Sequence, residues 1–189
     1  MPSILLEAPE TEPITLGEAK AFLRVEHDDE DDVIAALIAS ARMQVEAQTR
    51  RALITQEWRI VRDGWPADGF FVVTPAPLQA VVAARLRDAE GAAHIVDHER
   101  FMIDAASARL IFPPWSLPAP LRAAAGIEID VRVGYGDEPA DVPEPLRHAV
   151  RLLVSHWYDN RGLVAIGQSV ALMPGTVAAL LTQYRAMSL

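Results

Sequence analysis

The sequence predicts an α+β fold, mainly a helical bundle of N-terminal and C-terminal helices with a small antiparallel β subdomain inserted between them. Two observations support this prediction. Apolar residues recur at helical spacing near both ends of the chain, over about 15–49 and 146–184. Between residues 57 and 133 the spacing changes to two, which is typical of strands. We therefore expect a single domain over 1–189, with the bundle at 14–56 and 141–189 and the β subdomain at 57–136.

The composition limits the classes of function. The chain has 189 residues, of which 51% are hydrophobic, so it can bury a core, and it has no cysteine for disulfides or thiolate chemistry. Its formal net charge of −9 argues against reading or packaging DNA, because that affinity comes largely from Lys and Arg. No apolar run approaches the roughly 20 residues that span a bilayer, and the acidic N-terminus does not fit a signal peptide. We expect no membrane association and a cytoplasmic location when the protein is made.

The N-terminal third predicts an extended arm and two helices. Residues 1–13 contain three prolines and no periodicity, which favours an arm. Thr15 and Glu18 have the spacing of a capping box, so we expect a helix from there to about Val25. A second helix should run to about Thr49. Its apolar stripe comprises Val33, Ile34, Leu37, Ile38, Ala41 and Val45.

The acidic run at residues 27–32 precedes this second helix. Carboxylates at a helix N-terminus interact favourably with the helix dipole, which explains the run without a ligand. A calcium loop is the alternative, but the turn glycine and a glutamate ligand at the right spacing are missing. We expect no metal site here.

The middle of the chain predicts short strands separated by Gly, Pro and Asp. The clearest is the last, in which Ile127 to Val133 alternate apolar and polar residues, so we expect one buried and one solvated face. The Pro-rich loop at 113–120 comes before it. Trp115 in this loop either forms an exposed anchor or packs back onto its own sheet.

The C-terminal third predicts two more helices. Pro143 and Pro145 suit the first turn of an amphipathic helix that ends near Gly162. Its stripe comprises Leu146, Val150, Leu153, Val154 and Trp157. Tyr158 and Arg161 fall off this stripe, which makes them candidates for contact with a neighbouring subunit. A final helix follows Pro174.

No catalytic, cofactor or metal site is predicted. Ser155 and His156 are adjacent on a helix and point in different directions, so they cannot form a nucleophile and base pair by themselves. His94 and His98 lie in a strand-and-turn context that lacks the pattern of a helical zinc site. Gly134-Tyr135-Gly136 is too short for a phosphate loop. We therefore expect a protein that is not an enzyme.

Three stretches together resemble a known family. They are Ile14 to Val25 (ITLGEAKAFLRV), Ala52 to Trp58 (ALITQEW) and the helix that ends in His156 to Arg161 (HWYDNR). In this order they resemble the head-tail connector proteins, also called adaptor or head-completion proteins, of tailed phages and phage-derived gene transfer agents. The resemblance spans most of the chain and rests on packing motifs.

The resemblance implies a structural protein at the head-tail junction of a virion or phage-like particle, made in the host cytoplasm. It implies a ring, dodecameric in the particle, that docks on the portal protein and receives a tail-side connector or stopper. DNA would pass through the ring without specific binding. The arm, the 113–120 loop and the segment from Gly162 to Gly175 would become ordered on docking. The alternatives are an acidic cytoplasmic protein-binding module unrelated to a particle, and an enzyme whose site the sequence does not reveal.

Overall fold

The computed structural model describes residues 3–113, 116–120, 122–160 and 173–186. Within this part of the chain, two helices lie on each side of a run of seven strands, and one further strand precedes them, which confirms the α+β class. In chain order they are β1 (Ser3–Glu7), α1 (Leu16–Leu23), α2 (Asp31–Thr49), β2 (Gln56–Arg62), β3 (Phe70–Val72), β4 (Leu78–Arg87), β5 (Ala93–Val96), β6 (Met102–Asp104), β7 (Arg109–Ile111), β8 (Ile127–Val133), α3 (Glu144–Asp159) and α4 (Gly175–Thr182).

The elements divide into two compact units, each made from separate stretches of chain. The β unit combines the segment before Glu10 with residues 55–135, and the helical unit combines residues 10–54 with the segment after Tyr135. The expectation of one connector domain over 1–189 stays a prediction.

The β unit contains two antiparallel sheets. The larger has five strands in the order β1-β2-β8-β4-β5, and the smaller has three in the order β3-β7-β6. In the larger sheet, β8 pairs along its whole length with β2, where Trp58 lies opposite Val131. Four alternate residues of β8 are fully buried: Ile127, Ile129, Val131 and Val133. This row forms the apolar face that the alternation of the sequence predicts.

The N-terminal segment differs from the predicted arm. Ser3–Glu7 is extended, but it pairs with β2 as the outermost strand of the five-stranded sheet. The Ser3 hydroxyl also donates a hydrogen bond to the Thr74 carbonyl. Pairing of this kind depends on residues 50 to 57 positions away, which local periodicity does not reveal.

The helical unit contains α1 to α4. Helix α3 packs against the other three, and its buried residues are Leu146, Ala149, Val150, Leu153 and Val154. Trp157, predicted to continue this stripe, is only half-buried. On α2 the buried stripe is Ile34, Ile38, Ala41, Val45 and Thr49, whereas Val33, predicted to belong to it, is exposed.

The start of α1 confirms the predicted capping box. The Glu18 backbone N–H donates to the Thr15 hydroxyl oxygen at 3.1 Å, and the Thr15 N–H donates to the Glu18 carboxylate at 2.8 Å. The helix ends at Arg24, whose φ of 60° is in the left-handed region.

The acidic run before α2 is held by a lysine as well as by the helix N-terminus. The Lys20 ammonium lies 2.5 Å from a carboxylate oxygen of Asp28 and 2.7 Å from one of Asp31. The hydrogen bond from Lys20 lowers the pKa of Asp28. Lys20 is the only lysine of the chain, and it neutralises part of this acidic segment. None of the described helices is long and apolar enough to cross a membrane.

Candidate functional site

Tyr158 lies in the last turn of α3 and contacts its own chain. Its side chain is half-buried, and its hydroxyl donates a hydrogen bond to the carboxylate of Glu30, the residue before α2. The hydroxyl therefore joins the end of α3 to the start of α2. Its predicted contact with a neighbouring subunit stays a prediction.

The other two predicted interface residues, Trp115 and Arg161, lie outside the described residues. The same holds for most of the segment from Gly162 to Gly175. Of the 113–120 loop, Pro113 and residues 116–120 are described, and the Arg100 guanidinium donates to the Ser116 carbonyl at 2.6 Å.

Partly buried arginine side chains join segments of the helical unit. The Arg147 guanidinium donates to the Pro13 carbonyl at 3.0 Å and to the Glu18 carboxylate at 2.5 Å, so it ties α3 to the start of α1. Arg42 of α2 similarly contacts Glu12 at 2.8 Å and Glu46 at 2.9 Å. Helical spacing alone places Arg147 on the polar side of α3, but it does not reveal these partners.

The polar face of the five-stranded sheet carries a network of charges. It consists of Glu57 and Arg59 on β2, Glu128, Asp130 and Arg132 on β8, and Arg85 and Arg87 on β4. Arg59 contacts both Asp130 oxygens, at 2.7 and 3.0 Å, and Arg85 approaches from the other side at 2.5 Å. Arg87 contacts both oxygens of Glu128, at 3.0 and 2.9 Å. The network has four arginines and three carboxylates, so it is not acidic, although the chain as a whole is.

This network corrects the prediction of a solvated polar face of β8 at its centre, Asp130, whereas Arg132 on the same face is exposed as predicted. Asp130 is only 4% exposed because arginines from both neighbouring strands cover it. Burial favours the neutral acid, but the hydrogen bonds from Arg59 and Arg85 outweigh it and lower the pKa of Asp130. The hydrogen bonds from Arg87 lower the pKa of Glu128 in the same way. The sequence shows the charges, but only the strand order brings them together.

A second cluster in the β unit is aromatic. Trp65 packs against Phe71, Phe101 and Phe112, with ring centroids 5.1–6.0 Å apart, and its indole N–H donates to the Pro118 carbonyl. The Arg62 guanidinium lies over the Phe71 ring at 5.5 Å. Because Trp65 contacts the 113–120 loop, this cluster connects the loop to the core of the small sheet.

The contacts of His94 and His148 are not a catalytic arrangement. His94 lies 2.8 Å from Asp88, and His148 packs edge-on against Phe22 with centroids 6.4 Å apart. Within residues 3–113, 116–120, 122–160 and 173–186, no three His, Asp or Glu side chains are arranged to hold a metal ion. These side chains serve packing and surface contacts.

The family model of the head completion protein matches residues 12–187, which is most of the chain. The chain belongs to the head completion protein family. The resemblance in the three sequence stretches is therefore confirmed. The match includes nearly all of the helical unit and residues 55–135 of the β unit, but β1 lies before it.

Three solved structures that are similar to this chain come from gene transfer agent particles. A chain from the neck of an empty particle computed with C6 symmetry is 26% identical, with a TM-score of 0.81, over 100% of this chain and 97% of that chain. A chain from the virion of a native particle gives the same values. A chain from the neck of a native particle computed with C12 symmetry is 24% identical over the same shares, with a TM-score of 0.72. None of the curated proteins matches the sequence.

Proposed function

We propose that this protein is a connector at the head-tail junction of a phage-like particle, where it joins the head to the tail. The observation that carries the proposal is the likeness, over the full length of this chain, to a chain from the neck of a gene transfer agent particle. Membership of the head completion protein family supports it independently.

The role is structural, and catalysis is not part of the proposal. Each unit contains charged side chains that pair within it, such as the Arg59–Asp130–Arg85 group of the β unit and the Arg147–Glu18 contact of the helical unit. Such pairs give a rigid surface with a defined charge pattern, which suits a protein that must fit between other proteins.

The assembled form that we propose is a ring of identical copies, a dodecamer in the particle. The related necks were computed with sixfold and twelvefold symmetry, which supports such a ring. Its partners would be the portal protein on the head side and a tail-side connector or stopper on the other side. DNA would pass through the ring without specific binding, in keeping with a net charge of −9. Interface contacts would include Trp115, Tyr158 and Arg161.

Deletion of the gene in a strain that produces the particles tests this function. Electron microscopy should show DNA-filled or emptied heads beside unattached tails, because the joint between them is missing. A copy of the wild-type gene supplied in trans should restore tailed particles. Intact tailed particles in the deletion strain would contradict the proposal, and the protein-binding module would replace it.

A further inference from the structure

Among the described residues, the five-stranded sheet of the β unit ends in two strands that each pair on one side only. Among the described strands, β1 pairs only with β2 and β5 pairs only with β4. An outermost strand presents a row of backbone N–H and C=O groups that can pair with a strand of another chain. The sheet therefore offers one such edge at each end.

Both edge strands carry exposed apolar side chains. On β1, Ile4, Leu5 and Leu6 are 48%, 45% and 42% exposed, and on β5 Ile95 is 86% exposed. Proteins usually protect free edges with lysine, proline or bulges, and neither strand contains lysine or proline. A bulge between Leu5 and Glu7 does interrupt β1, so its regular edge is Ser3–Leu5.

The two isoleucines lie on the same face of the sheet. Ile4 is opposite Arg59, and Ile95 is opposite Arg85. Both arginines contact Asp130, so their side chains share the polar face. Residues directly opposite each other in a sheet point to the same side. Ile4 and Ile95 are therefore exposed apolar side chains at the two opposite ends of one charged face.

We propose that β1 of one copy pairs with β5 of the next copy, so that the five-stranded sheets of neighbouring subunits join edge to edge. This inference rests on the proposed ring of identical copies. Contact between two different edges of the same molecule is heterologous, and a heterologous contact generates a ring when the rotation between copies closes. The occupant of each edge is thus a second copy of this chain.

The strand directions define the junction. The five strands alternate in direction, so β1 and β5 run the same way within one sheet. A rotation that places the sheet of the next copy beside this one keeps the strand direction. β1 of one copy therefore pairs in parallel with β5 of the other. Ile4 and Ile95 then meet on the polar face and remove each other from water. A junction of a few residues is small, so repetition around the ring strengthens it.

Thiol cross-linking tests the junction, because the natural chain has no cysteine. The double variant Ile4→Cys/Ile95→Cys is introduced into the producing strain and treated with a short bis-maleimide. Particles are then purified by sedimentation and analysed on denaturing gels. Both positions are exposed, so the substitutions should leave the fold intact. Each single variant and the pair Ile4→Cys/Met43→Cys, whose second site is an exposed residue of helix α2, serve as controls.

The expected result is a series of cross-linked dimers, trimers and higher species in the particle fraction of the double variant only. Single variants cannot extend beyond a dimer. If the double variant enters particles but remains monomeric on the gel, the edge-to-edge junction is wrong and the connector function stands. If the protein is absent from particles in wild type and variants alike, the connector function is wrong, and this inference, which depends on it, is overturned too.

Discussion

Asp130 shows how a polar position in an alternating strand becomes buried. Its place in β8 follows from the sequence, because polar and apolar residues alternate from Ile127 to Val133. Its burial does not, because the covering side chains, Arg59 and Arg85, come from strands that are 71 and 45 residues away in the chain. These three charged side chains depend on one another. Removal of the central carboxylate leaves Arg59 and Arg85 without the partner that they share.

Asp130→Asn should lower the free energy of unfolding by about 3 kcal/mol, since it removes one partner of a largely buried ion pair. Urea denaturation followed by tryptophan fluorescence measures the change. Asp29→Asn is the matched control, because that side chain is 96% exposed and its substitution should change stability by less than about 0.5 kcal/mol. Equal losses in the two variants would contradict the ion-pair network.

The same carboxylate predicts a pH dependence. Because the folded-state pKa of Asp130 is lowered, its stabilising effect is complete above the unfolded pKa of about 3.9 and is lost as the pH falls through the folded value. The stability difference between wild type and Asp130→Asn should be constant from neutral pH down to about pH 5 and should shrink below about pH 4. Denaturation midpoints measured over this range test the sign. A difference that grows towards acid pH would be incompatible with it.

At the scale of elements, local signals predicted the helices well. The capping box at Thr15 and Glu18 fixes the start of α1, and Pro143 precedes α3 as expected. The predicted stripe of α3 is largely confirmed because packing of a helix depends on spacing within the helix itself. β1 was misread as an arm, since its partner strand is distant in the sequence.

Leu153→Asp should destabilise the helical unit by at least about 3 kcal/mol, because Leu153 is fully buried in α3 and the variant places an unpaired charge there. Thermal unfolding followed by circular dichroism measures the loss. Met43→Asp makes the same kind of change at an exposed position of α2 and should shift the free energy of unfolding by only about 0.5 kcal/mol. A wild-type melting temperature for Leu153→Asp would disprove the assignment of α3 to the core.

For the molecule as a whole, packing motifs rather than a catalytic signature predicted the family. The three resembling stretches lie in α1, at the start of β2 and in α3, with their last residue beyond Asn160. The candidate site was less predictable than the fold. Residues that contact partner proteins do not recur at a fixed spacing in the sequence. Two of the three predicted interface residues, Trp115 and Arg161, lie outside the described residues.

Arg161→Glu should leave the subunit folded but impair assembly. A partner surface that complements the positive charge of Arg161 would repel a glutamate at the same position. The measurement is the fraction of tailed particles by electron microscopy, together with the melting temperature of the purified protein. Arg24→Glu, the same charge change at an exposed residue after α1, should give normal particles. Normal particles with Arg161→Glu as well would exclude Arg161 from the interface.

The division of the helical unit between two stretches of chain has a consequence for biosynthesis. On the ribosome, α1 and α2 emerge after β1 but before the rest of the β unit and before α3, which supplies Leu146, Val150 and Leu153 to their common core. A nascent chain interrupted anywhere before Glu144 exposes Ile34 and Ile38, and such surfaces attract chaperones and proteases. We therefore expect incomplete subunits to be removed before they can occupy a position in a multi-copy assembly, where one defective copy would compromise the whole.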